Sequence, residues 1–312
     1  MNIIKNIFLG LAIVSLAASC EKDNALDTPV ITGDYQVTLP SYAMFDGVGQ
    51  SFYATNKADG NGDRPFNELS DEWTWETWFK VENGTKLDNN VLNSSIVMEQ
   101  RYVFTVYLIP ANTTKPRQER TVKVIDYSKP NGIGEKTVHV KSDFEVRYSK
   151  LTNNSDVELD SISTFKNDNF VLSYDQWIHL AITRSAATGI AKLFINGKKV
   201  GESNDPLWIS KTSIAAPNWS GTYRGGYKSY MKGSQRKVRV SRVARYDDNF
   251  TPDLNTDFAV DAETLFMLNL TESEVKDENG GSPIMDVKGT YPHVCKLRQS
   301  NWGFDGDVYF DE

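Results

Sequence analysis

Residues 72–80 read EWTWETWFK, and their period of two decides the fold class. In an extended chain Trp73, Trp75, Thr77 and Phe79 fall on one face, while Thr74, Glu76, Trp78 and Lys80 fall on the other. Large apolar side chains on both faces call for cover on both, so this segment reads as a central strand. Outward from it, residues 103–109, 121–127, 137–140 and 143–148 are further β-rich runs. Pro110, Pro116, Pro130, Asn131 and Gly132 punctuate them. Runs at 177–183 and 190–195 follow, joined by 185–189. Asn196-Gly197 then marks a tight hairpin, because a type I′ turn needs φ > 0 at both central residues.

Beyond the N-terminal segment no stretch carries a helical repeat of useful length. Many short strands with turn signals, in 312 residues, predict an all-β protein built as a two-sheet sandwich or jelly roll. No internal repeat and no break in composition marks a second domain. Residues 35–312 are expected to form one sandwich domain, with 110–170 as its longer strands and connections.

The N-terminus reads MNIIKNIFLGLAIVSLAASC. Lys5 supplies a positive start, residues 7–18 are apolar, and Ala17, Ala18 and Ser19 are small, as a signal peptidase requires. The stretch is shorter than a membrane-spanning helix of about 20 apolar residues. An ordinary secretory signal with a chance cysteine is the bland reading. Cys20, placed directly after the small residues, resembles the lipobox of bacterial lipoproteins, although the usual Leu is displaced one place, to Leu16. That resemblance implies signal residues 1–19, lipidation at Cys20 and a polar tether over 20–34. Glu21-Lys22-Asp23 resembles the export tag of surface lipoproteins of the Bacteroides group, which implies an outer-membrane protein facing the exterior.

The formal net charge is −7, and losing residues 1–19 with Lys5 makes it −8. An acidic chain is a poor partner for nucleic acid and anionic lipid, so membrane attachment is expected through the acyl chains alone. Acylation of Cys20 would leave Cys295 unpaired, and a chain this long can bury a sufficient core without a disulfide. Two cysteines and three histidines (His139, His179, His293) make a thiolate or imidazole metal site improbable. His179 lies in a strand pattern and reads as structural.

Ordered segments across 45–290 resemble the LamG-type concanavalin A-like sandwich. They are Phe45-Asp46-Gly47 with Phe52-Tyr53, the 73–80 strand with Trp78 at the tryptophan position, and QWIHLA at 176–181. AKLFINGK at 191–198, VRVSRVARY at 238–246 with Asn249-Phe250-Thr251-Pro252, and 261–270 with 277–280 complete the set. Gly47 suits a tight turn, and Trp78 and Trp177 are expected to fill the core between the sheets. Arg236-Lys237 stands where the family usually has an acidic pair.

Such sandwiches are mostly binding scaffolds, and a fold names no ligand. Residues 205–233 are rich in Gly, Ser and Pro yet carry Trp208, Trp219, Tyr223, Tyr227 and Tyr230. Surface aromatics of this kind would stack on sugar rings, with Asn218 and Arg224 bonding hydroxyls. Folding back as an apolar lid, or pointing inward from strands, is the alternative. Arg224, Lys228, Lys232, Arg236, Lys237, Arg239, Arg242 and Arg245 form a run without acids that could receive an anionic glycan, or be the solvated face of strands. Calcium is conceivable at a rim, with Asp46 and Asp277 as its candidate ligands. The laminarinase-type strand E-x-D-x-x-E is matched only as far as Glu158 and Asp160; Ser163 replaces the third acid, so the retaining mechanism fails. The expectation is a non-catalytic cell-surface glycan-binding lipoprotein. The alternatives are an adhesion module for host or neighbour-cell protein and, third, a glycoside hydrolase.

Overall fold

The computed structural model describes residues 42–55, 71–90, 93–100, 104–111, 118–151, 159–160, 171–204, 217–224, 227–271, 275–276, 284–289, 294–298 and 309–311. No helix occurs among them, and the chain divides into two compact units.

The larger unit, residues 39–116 with 141–312, is built on two antiparallel sheets. The first runs, in spatial order, β12 (Lys198–Ser203), β11 (Ala191–Ile195), β10 (Trp177–Arg184), β3 (Trp73–Val81), β16 (Lys232–Ser241), β1 (Tyr42–Asp46) and β21 (Tyr309–Asp311). A further strand, β17 (Thr264–Leu268), shares one edge of β16 with β1. The changeover falls at a bulge where Lys237 takes φ +50°. The second sheet runs β18 (Val275–Lys276), β19 (Ile284–Asp286), β20 (Val294–Arg298), β2 (Ser51–Thr55), β13 (Pro217–Trp219), β4 (Ile96–Gln100), β5 (Phe104–Pro110), β8 (Phe144–Leu151) and β9 (Leu159–Asp160). A short hairpin, β14 (Gly221–Arg224) with β15 (Tyr227–Tyr230), follows β13.

Inward residues of both sheets meet in one core. Trp219 of β13 stacks on Phe52 of β2 at 5.1 Å, on Phe266 of β17 at 5.2 Å and on Trp75 of β3 at 5.9 Å. Trp75 also meets the ring of Phe104 edge-on at 5.0 Å. Each such ring pair adds about 0.5–1.5 kcal/mol beyond the area it buries. The protein is thus the all-β, two-sheet antiparallel jelly-roll sandwich expected, and β3 is central, bonded to β10 on one side and β16 on the other.

Turn chemistry is as the sequence implied. Asn196 and Gly197 take φ of +49° and +73° between the paired Ile195 and Lys198. A Cβ on Gly197 would lie 2.0 Å from the Phe250 carbonyl oxygen, so this glycine serves the turn and the segment packed on it. Gly47 takes φ +78°, with the Asp46 carboxylate capping the turn.

One expectation is corrected here. Trp78 and Trp177 do not fill the space between the sheets. Phe79 and Ile178, their neighbours in the chain, point into the core, and the period of two sends both tryptophans to the opposite face.

The smaller unit is described over 118–140, within the region of longer connections. It is a regular hairpin of β6 (Gln118–Ile125) and β7 (Ile133–Val140). Asp126 organises its turn by accepting bonds from the Ser128 amide (3.0 Å) and hydroxyl (2.6 Å). Ile125, Tyr127 and Ile133 stand 76%, 90% and 48% exposed at its tip.

Candidate functional site

Alternation along β3 puts Thr74, Glu76, Trp78 and Lys80 on the outer face of the first sheet. Register carries that face sideways. On β10, His179 lies opposite Trp78 and Trp177 opposite Lys80; on β16, Arg239, Arg236 and Ser234 lie opposite Glu76, Trp78 and Lys80.

Most of this face is covered. Residues 242–263 cross it as an irregular strap. Thr74 holds one end, donating to the Val243 carbonyl at 2.7 Å and accepting from the Arg245 amide at 2.9 Å. The Asn-Gly hairpin holds the middle, where the Phe250 amide donates to Gly197 O at 2.8 Å and the Lys199 amide to Asn249 Oδ1 at 2.8 Å. Arg236 and Lys237 hold the far end through the carbonyls of Leu254 and Thr256. The basic pair therefore positions the neighbouring loop itself.

Beneath the strap lies a buried charged cluster. Glu76 Oε1 accepts from Arg239 Nε at 2.7 Å; Glu76 Oε2 accepts from the Tyr246 hydroxyl at 2.7 Å and lies 3.4 Å from His179 Nε2. Burial alone would raise the Glu76 carboxyl. The His179 hydrogen bond, the Arg239 charge and the Tyr246 hydroxyl outweigh it and hold the carboxyl below its ordinary value. Burial, together with the Glu76 charge, pushes the Tyr246 hydroxyl well up. Glu76 and His179 are each 1% exposed, so no substrate reaches them. The cluster is a clamp between sheet and strap, which fits the structural reading of His179.

The strap leaves one end of the face uncovered. There Trp177 and Tyr42 meet edge-to-face, ring centroids 5.2 Å apart. The Lys80 ammonium lies 4.8 Å from the Tyr42 centroid and 5.3 Å from that of Trp177. All three are half-buried. Ser234, opposite Lys80, is fully buried, and its hydroxyl has no hydrogen-bond partner among the described residues. An indole, a phenol and an ammonium thus share one surface patch, able to stack on a ring and bond its substituents. The sequence carried a signal for Trp177: Ile178 and Leu180 point inward, so Trp177 must point out.

The residues named from the sequence fare differently. Trp219 and Tyr230 are core, not platform, at 1% and 3% exposure. Pro217 and Gly221 made their surroundings look like a loop, but Trp219 sits in β13, paired with both β2 and β4. Tyr223, Arg224 and Tyr227 lie on the β14–β15 hairpin, with Arg224 opposite Tyr227 and Tyr223 opposite Lys228. Asn218 pairs with Tyr53 and Glu99 in the second sheet. Trp208, Cys20, Asp277 and Glu158 lie outside the described residues. Asp46 spends its carboxylate on the Val48 and Gly49 amides at 2.7 and 3.4 Å. Among the described residues, no three His, Cys, Asp or Glu side chains gather as a metal site.

The basic run is no open anion receiver over the part whose side chains are described. Arg236, Lys237 and Arg239 are 5%, 0% and 7% exposed beneath the strap. Lys232 pairs with Glu82, Arg236 with Asp257, Arg239 with Glu76, Arg242 with Glu263, and Arg245 with Asp261. The neutralising acids come from β3, the turn after it and the strap, outside the run.

A family model described as the concanavalin A-like lectin/glucanases superfamily matches residues 112–249, under half of the chain. No curated protein sequence matches the chain. Among solved structures, the chain is similar to a provisionally assigned carbohydrate binding protein from Bacteroides ovatus. That likeness has 14% identity and a TM-score of 0.44, and covers 88% of this chain but only 60% of the other. A heptameric SAP-like pentraxin from Limulus polyphemus is similar at 9% identity and a TM-score of 0.33, over 86% of this chain and 93% of that one. The CBM40 of a Ruminococcus gnavus IT-sialidase, solved with α2,3-sialyllactose, is similar at 13% identity and a TM-score of 0.34, over 66% and 91%.

Proposed function

We propose that the protein is a non-catalytic, cell-surface carbohydrate-binding lipoprotein. The observation that carries the reading is the half-buried Tyr42–Trp177 pair with Lys80, on the end of a sheet face otherwise closed by the strap. Sugars offer a C–H face to such rings and hydroxyls to the polar groups beside them. The family description, lectin as well as glucanase, is compatible with this. The sealed Glu76 cluster and the missing third acid after Asp160 favour binding without cleavage. Lipidation of Cys20 would hold the sandwich at the outer membrane facing outward, where it would serve polysaccharide capture.

Glycan-array binding of the mature protein, abolished by Trp177→Ala, is the expected result. Release of reducing sugar from a bound polysaccharide would replace the reading with hydrolysis. Metabolic labelling with palmitate should mark the wild type and not Cys20→Ser; unlabelled protein in the medium of both would remove the anchor.

A second reading, adhesion to a host or neighbour-cell protein, is favoured by a different observation. Ile125, Tyr127 and Ile133 cluster, exposed, at the β6–β7 tip. An array without sugar hits, together with matrix-protein binding lost in Tyr127→Ser, would select it.

A further inference from the structure

Lys80 differs from the other cations of its sheet face, among which Lys237 donates to the Leu254 and Thr256 carbonyls. Arg236, Arg239, Arg242, Arg245 and Lys232 each have a carboxylate partner within 4 Å, at 3.4, 2.6, 3.4, 2.7 and 3.8 Å. Lys80 forms no ion pair among the described residues; its ammonium lies against the rings of Tyr42 and Trp177. Its position explains this. The strap that brings Asp257, Asp261 and Glu263 to the face ends its cover at the Trp78 row, one step short of Lys80. The acid two residues along the chain, Glu82, faces Lys232 instead. Ring faces attract an ammonium but accept none of its three N–H groups as a carboxylate would. The patch thus combines a stacking surface with a half-buried cation that has no carboxylate partner among the described residues.

We infer that the Tyr42–Trp177–Lys80 patch selects acidic saccharides, its rings stacking a pyranose and Lys80 bonding an anionic substituent on it. This deepens the glycan-binding reading and rests on it. A carboxylate (a hexuronate) or a sulfate ester would satisfy the same chemistry, since both offer oxygens for charge-assisted bonds. The site lies apart from the basic run, where Lys232 and the described arginines have their acids already and Lys237 is buried against carbonyls. It also operates in a chain of net charge −7, so the preference for acid is local.

The test is titration calorimetry of the whole mature protein against matched fragments: hexuronates beside their methyl esters, and sulfated galactans beside their desulfated forms. Acidic members should bind about tenfold tighter than their neutral counterparts, the yield of one charge-assisted bond. Lys80→Met should bring that ratio to about one, and Lys80→Arg should restore most of it, with unchanged melting temperatures showing that all three fold. The uronate and sulfate arms distinguish the two anions. Equal affinity for acidic and neutral members, or a ratio unmoved by Lys80→Met, overturns the inference. If neutral sugars still bind and Trp177→Ala removes that binding, the glycan reading survives such a failure. Absence of binding by every fragment overturns both.

Discussion

Two lysines on one outer face meet different fates: Lys80 is half-buried beside the rings of Tyr42 and Trp177, Lys237 is sealed in. Lys237 is fully buried and donates to the Leu254 and Thr256 carbonyls. Burial, then the neighbouring Arg236 charge, lowers its pKa to about 8. In the unfolded chain it returns to about 10.4. Below pH 8 both states hold the proton; between the two values the native state releases it first, so stability from this residue rises with pH. Denaturant titrations from pH 7.5 to 10 should show wild type gaining on Lys237→Met; a constant difference would refute the assignment. Glu76 has the same slope in a more acidic window, and there it stabilises. Its carboxyl is held low, so its contribution is complete above the unfolded value of about 4.3 and is lost as pH falls below it. Glu76→Gln leaves Arg239 buried without its charge partner and should cost about 3–5 kcal/mol at neutral pH, read by urea denaturation. The tryptophans separate in the same way. Trp219→Ala should cost about 3–5 kcal/mol from the core. Trp177→Ala, half-buried outside it, should cost much less while removing glycan binding.

At the scale of elements, the strap and the Asn-Gly hairpin form one assembly. The Phe250 amide bonds the Gly197 carbonyl, and Tyr246 stacks on Phe250 at 3.8 Å over the outer face of the sheet. Gly197→Ala meets two obstacles, a positive φ and a carbonyl 2.0 Å from the new Cβ. It should destabilise by more than about 1 kcal/mol. Amide exchange at Phe250 should quicken more than exchange in β5, because the strap loses its seat before the sandwich does; uniform acceleration would contradict this. The β6–β7 hairpin falls in the smaller compact unit and not in that of the sandwich. Removing residues 117–140 should therefore leave a cooperative thermal transition for the remainder, whereas its loss would show that the hairpin is needed for folding.

For the whole molecule, the strands, their inward faces and the hairpin turns were legible because they depend on neighbours in sequence. The alternation of 72–80 marked β3 as central, Asn196-Gly197 marked the β11–β12 turn, and Gly47 marked another. The binding platform read into 205–233 was not sound where it can be followed, since Trp219 and Tyr230 turn inward. Glycine and proline around an aromatic describe a loop and a short central strand equally well. What the sequence determined alone was which residues share a face, since a strand's pleat follows from its own backbone. Whether a face meets solvent was decided only by tertiary structure. Glu76 meets Arg239 of β16 and Tyr246 of the strap from 163 and 170 residues away. The strap buries charges that local reading would leave in water and stops one row before Lys80, because cover is a property of non-local packing.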